Sequence, residues 1–383
     1  MPIPRAPLSA LVLALGLGAA MPAAATEAIT LEAPNGLSTL AITGAPGGGF
    51  ALAAQELVPY AGGTDPRVHV FRYEANGKLR WERVVDRHGP QIVKAITYGP
   101  GETLYLGGLD GSELTENSYQ KMFMAFGPRG DVLEDKVFGD PAPVEDFLSG
   151  LALLSNGNLL GVGRYKDDPQ HDADMQVLEL TTTGDVVWSA KVSDAAHESY
   201  PVVATGANGT FVAGTYENRK VFVSRVESGA QKVSNFASFT MPRRCAVAQM
   251  TVLQDGGLAI AVNLSGGNNE ARLVRLSSSG SVMWDVSVTG NTVIADITRM
   301  PDGLIVVAGT SDTPKTLETY GWLRAYNDSG EVVGEIKPDY EGETRAGGVT
   351  VDGKDGVFFS YTPVDESIPA RPEPVIVERI RVE

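Results

Sequence analysis

Seven times along the chain, a turn-forming stretch is followed by a short and almost wholly apolar run. The copies read "GGGFALAA", "GETLYLGG", "NGNLLGVG", "ANGTFVAG", "DGGLAIAV", "PDGLIVVAG" and "KDGVFFSY". Aligned on one position they bring Phe50, Leu104, Leu159, Thr210, Leu258, Ile305 and Val357 into register, spaced 54, 55, 51, 48, 47 and 52 residues apart. Strand-like units recurring at this spacing predict the blades of a β-propeller rather than a helical solenoid. Runs that are apolar on both faces suit sheets sandwiched between neighbours.

A second phrase lies between the copies: strand, glycine turn, strand. It appears as "YEANGKLRW", "FGPRGDVLE", "LTTTGDVVW", "VESGAQK", "LSSSGSVMW" and "YNDSGEVVG", with Gly77, Gly130, Gly184, Gly229, Gly280 and Gly330 at the turns. Glycine accepts the positive φ that tight hairpins demand. Trp81, Trp188 and Trp284 each stand four residues past such a glycine and are expected to pack between blades.

The sixth unit shows the blade in order. Strand a is predicted over Val293–Met300, a turn at Pro301-Asp302-Gly303 leads to strand b over Leu304–Ala308, strand c covers Trp322–Tyr326, and strand d covers Val332–Ile336. There are seven b phrases but six c–d turns, so the last unit lacks its d strand. "AITLEA", Ala28 to Ala33, is expected to supply it by pairing with Val375–Val382, which leaves few sheet edges open. The expected fold is all-β: one seven-bladed propeller domain of four-stranded antiparallel blades over residues 26–383.

The phrases "DGGLAIAV", "PDGLIVVAGT" and "LVRLSSSGSVMW" resemble bacterial extracytoplasmic propeller repeats of the delta-60 and related type. The resemblance covers nearly all of the chain after its first 25 residues. It implies the fold and no activity, because propellers of that group are functionally mixed.

The chain opens with the pattern of a signal peptide: Arg5, an apolar run from Leu8 to Ala20, and Ala23-Ala24-Ala25 as the cleavage rule requires. Cleavage after Ala25 would export the protein to the periplasm or beyond. No other segment is apolar enough to enter a membrane. Removing that segment takes away one Arg from 31 basic residues and none of 47 acidic ones, so the net charge moves from −16 to 30 − 47 = −17. An acidic surface disfavours nucleic acid and anionic membrane as partners. Cys245 is the sole cysteine, so no disulfide can form within the chain. A monomer is expected.

In this topology the b–c and d–a loops share one face, and functional residues are sought there. The ligand-binding candidates are His88, Glu145, Asp146, His197, Glu198, Arg243 and Arg244. Imidazole with carboxylate suits metal ligation or acid–base work, and the Arg pair could clamp a carboxylate or sulfate. The competing reading is unrelated surface polar groups, with the Arg pair bridged to the protein's own acids. Asp168, His171, Asp172 and Asp174 make an oxygen-rich loop that could hold Ca²⁺ or another divalent metal, although the EF-hand order is absent; a solvated acidic loop is the alternative. No cofactor is predicted. Cys245, without a neighbouring His, reads as a small buried side chain, and His69 as structural. Nucleophile elbow, P-loop and zinc-protease motifs are absent. Two functions remain open: a non-catalytic propeller binding a protein, peptide or glycan on its long-loop face, or a metal-assisted hydrolase or lyase at the central mouth.

Overall fold

Each apolar run forms the second strand of an antiparallel sheet, and the first strand of each sheet lines the ring. In the computed structural model the described residues are 27–33, 36–60, 63–85, 87, 89–111, 119–139, 146–166, 174–192, 200–266, 269–288, 290–313, 318–338, 340, 342–351, 356–364 and 374–381. They form seven four-stranded sheets, each antiparallel and, in six of them, consecutive in sequence. The seventh is completed as expected: Glu27–Leu31 pairs with Val375–Arg381, Leu31 opposite Val375 and Glu27 opposite Arg379. In blade 6 the strands run Asn291–Arg299, Ile305–Asp312, Thr319–Tyr326 and Val332–Ile336. They begin within about three residues of the positions read from the sequence, with strand b running four residues further into the long-loop face.

The two-sided apolar character of the strands has a direct cause. The buried side chains fall into seven clusters, and each cluster spans one junction between neighbouring blades. A propeller has no single central core. Its stability comes from burying both faces of every blade against its neighbours.

The c–d turns explain the Gly-to-Trp spacing. Gly77, Gly130, Gly184, Gly280 and Gly330 have φ between 78° and 86°, where a side chain would be strained. Contact also restricts four of these glycines, and at two of them the neighbour is an indole. A Cβ at Gly130 would lie 2.8 Å from the ring of Trp81, and one at Gly330 would lie 3.1 Å from that of Trp284. The indole of one blade docks on the turn of the next, and its N–H donates to a turn carbonyl: Trp81 to Pro128 O at 3.2 Å, Trp284 to Asp328 O at 2.8 Å.

Blade 4 departs from the rule. Its c–d connection is a short 3-10 turn, Ser228–Ala230, and Gln231 rather than Gly229 takes the left-handed conformation, φ 49°. The Trp188 N–H, in the blade before it, does not donate to that turn. Its N–H donates to Glu179 Oε2 of its own blade at 2.5 Å.

Candidate functional site at the central mouth

The inner strands, a in each blade, are Ser38–Gly44, Gln91–Tyr98, Phe147–Leu153, Val202–Gly206, Arg244–Val252, Asn291–Arg299 and Glu343–Val351. Each touches the next around a closed ring. Six of them carry a β-bulge at the same place, extruding Leu40, Lys94, Ser149, Ala248, Ala295 and Gly347. A bulge bends a strand and re-aims a side chain. Blade 4 alone has no bulge in its first strand.

Lys94 is the one charged residue among the six. Its ammonium lies 5.1 Å from the centre of the Tyr200 ring, just ahead of strand a of blade 4. Tyr200 in turn meets Phe147, where strand a of blade 3 begins, with ring centres 5.2 Å apart. Ser149 reinforces this junction by donating to Pro201 O at 2.5 Å. Lys94 of blade 2 therefore passes in front of blade 3 to reach blade 4 on the long-loop side of the channel. Burial lowers its pKa, and among the described residues no carboxylate pairs with it. A desolvated ammonium on an exposed aromatic face can receive a group that brings its own acceptor.

A second charge sits one place past the bulge in blade 6. Asp296 keeps a little accessible surface but is enclosed by protein, and burial pushes its pKa up to about 7. The opposing pull comes from two backbone N–H donors, Val349 of blade 7 at 3.0 Å and Ile297 at 2.8 Å. It staples blades 6 and 7 and titrates near neutrality.

Of the candidates from the sequence, His88, Glu145, His197, Glu198, Asp168, His171 and Asp172 lie outside the described residues. The remaining four are not brought together at one site. Asp146 is fully buried and ion-paired with Lys121 of blade 2, whose pKa is lowered by burial against the pull of Asp146. Asp174 lies 3.6 Å from Lys191. Arg243 donates to Glu270 Oε2 at 2.5 Å, the internal bridge that was the alternative reading of the Arg pair. Burial would raise the pKa of Glu270, but its bonds from Arg243 and Ser287 outweigh that and hold it low. Arg244 is exposed and, among the described residues, donates to Asn218 Oδ1 at 3.3 Å. Cys245 is buried, and its thiol is pushed up to about 11, so it is not a nucleophile at neutral pH. His69 is buried in blade 1 between Glu56 and Glu82, each 3.0 Å from one ring nitrogen, as a structural residue would be.

Lys94 and Tyr200 were not singled out by the sequence reading. Within "QIVKAITY" the lysine reads as the polar position of an alternating strand. Aligning the seven inner strands would have exposed it, since the other bulge positions hold Leu, Ser, Ala, Ala and Gly.

No protein-family model and no curated protein matches the chain. Solved structures do. A protein of unknown function from Dyadobacter fermentans aligns with a TM-score of 0.55 at 10% identity, over 93% of this chain and 98% of that one. A polysaccharide lyase, an ulvan lyase, aligns at 0.58 and 10% identity, over 93% and 95%. The Dos1 propeller aligns at 0.52 and 10%, over 93% and 95%. At such identities the likeness carries the fold alone: the chain is a seven-bladed β-propeller.

Proposed function

We propose that this protein is an exported, monomeric binding propeller of the delta-60-like repeat type, and that it holds a peptide, protein or glycan at the central mouth of its long-loop face. The observation that carries the reading is the Lys94–Tyr200 pair, 5.1 Å apart and spanning three blades. An ammonium without a carboxylate partner among the described residues, beside an exposed ring, supplies one directional charge and one apolar surface. Binding sites are made of such pairs. Similar folds serve a lyase, a puromycin hydrolase and the Dos1 propeller, so the fold does not choose among functions.

The test is a glycan and peptide array probed with the labelled protein from residue 26 onward. At least one class should bind the native protein and lose most of its signal with Lys94→Met or Tyr200→Ala. Binding that survives both substitutions places the ligand elsewhere.

A metal-assisted hydrolase or lyase at the central mouth is the second reading, and Asp168, His171, Asp172 and Asp174 form a separate candidate metal loop. Asp174, the one described member, already faces Lys191. Stoichiometric metal in the purified protein, with a melting temperature that falls on chelation, would support it.

A further inference from the structure

A cavity of about 280 Å³ lies off the axis, between blades 3 and 4. Its wall comprises Lys191 and Val192 at the end of blade 3's outer strand, and Tyr216, Lys220, Phe222, Ser224, Val233 and Asn235 of blade 4. Alternation along strand c, Lys220–Glu227, puts Lys220, Phe222 and Ser224 on one face. Ser224 stands opposite Asn235 in the sheet, and Lys220 opposite Tyr216.

Among the described residues the lining carries two ammonium groups and no acid, in a protein whose net charge is −16. Lys220 rests 5.4 Å from the Tyr216 ring and meets no carboxylate among the described residues. Lys191 lies 4.6 Å from the Tyr165 ring, with Asp174 at 3.6 Å. Among the described residues no hydrogen bond uses the hydroxyl of buried Ser224, 6% exposed, or the side-chain amide of Asn235, which is exposed. A buried hydroxyl is ordinarily satisfied. Here both groups border space together with two cations and two aromatic rings.

We infer that this cavity binds a small polyhydroxylated carboxylate, such as one uronic acid residue of a glycan. The lysines would take the carboxylate, Ser224 and Asn235 the hydroxyls, and Tyr216 and Phe222 the C–H face of the ring. The volume suits a single sugar ring. None of these residues belongs to the Lys94–Tyr200 pair, so this inference stands or falls apart from the proposed function.

The experiment is calorimetric titration of the native protein with galacturonate, galactose and acetate at low salt. Galacturonate should bind at least tenfold more tightly than either galactose or acetate, and should weaken as salt is raised. Lys220→Met should cut its affinity about tenfold or more, the size expected when a hydrogen bond to a charged group is lost, and Asn235→Ala about threefold to tenfold. Lys220 is exposed, so that variant should fold, and its melting temperature checks this. Undetectable galacturonate binding, equal affinity for galactose or acetate, or affinity unaffected by Lys220→Met and Asn235→Ala would each overturn the inference.

Discussion

Trp284 and Trp188 hold the same place in the repeat and end in different surroundings. Trp284 crosses from blade 5 to the glycine turn of blade 6 and donates to a turn carbonyl. Trp188 faces a blade whose turn is built differently, and donates instead to Glu179, a buried carboxylate in its own blade. Asn156 and Asn158 donate to the same carboxylate, at 2.8 and 2.6 Å. The junction of blades 3 and 4 also carries the unbulged inner strand, the Tyr200 end of the mouth pair, and the cavity. Where the repeat rule holds, side chains are spent on joining blades. Where it lapses, polar groups remain for a ligand.

The two regions should part first in their response to pH. Asp296, at the regular junction of blades 6 and 7, has a pKa raised to about 7, so the folded state holds its proton more tightly than the unfolded chain. Its neutral form contributes stability that is fully present below the ordinary carboxylate range and is lost as pH rises through about 7. The loss is at most about 4 kcal/mol. Glu179 has the opposite sign. Burial would raise its pKa, but donation from Asn158, Asn156 and Trp188 holds it below the ordinary value, so its contribution is present near neutrality and fades as acid protonates it. Melting curves from pH 4.5 to 8.5 should fall toward the alkaline end, and Asp296→Asn should flatten that slope. An unchanged slope in the variant would remove Asp296 from the account.

Replacing each indole by phenylalanine sharpens the comparison. Trp188→Phe takes one donor from a buried charged acceptor and should cost about 2 kcal/mol, while Trp284→Phe breaks a bond to an exposed turn and should cost about 1 kcal/mol or less. Equal losses in denaturant melts would mean that the Glu179 bond has no special weight. The glycines separate the two turns. Gly330→Ala forces a side chain into φ 80° against Trp284 and should cost about 1–2 kcal/mol. Gly229→Ala should be neutral or slightly stabilising, because its φ is not positive and a Cβ there meets nothing within 4 Å. A loss at Gly229 matching that at Gly330 would contradict the difference between the two turns.

Much of this architecture is legible in the sequence, because a propeller repeats its physical problem seven times. The seven b-strand anchors land near the strand-a ends of their hairpins: Leu104 opposite Tyr98, Leu258 opposite Val252, Ile305 opposite Arg299. Ring closure follows from counting strands. The site is less legible for two reasons. A bulge shifts register without marking the sequence, so Lys94 looks like any outward-facing polar residue. Whole-chain charge also says little about one groove: an acidic total accompanies a cavity lined by Lys191 and Lys220. Histidines and acids in loops draw attention, yet Asp146 proves to be a buried ion-pair partner.

We expect ligand recognition on the side of the ring where blade 4 breaks the repeat. Hydrogen–deuterium exchange of the protein with and without galacturonate tests it most directly. Exchange should slow in Val186–Lys191, Gly209–Tyr216, Lys220–Glu227 and Lys232–Thr240, with blade 6 unchanged. Protection confined to blades 5 to 7, or spread evenly around the ring, would contradict it.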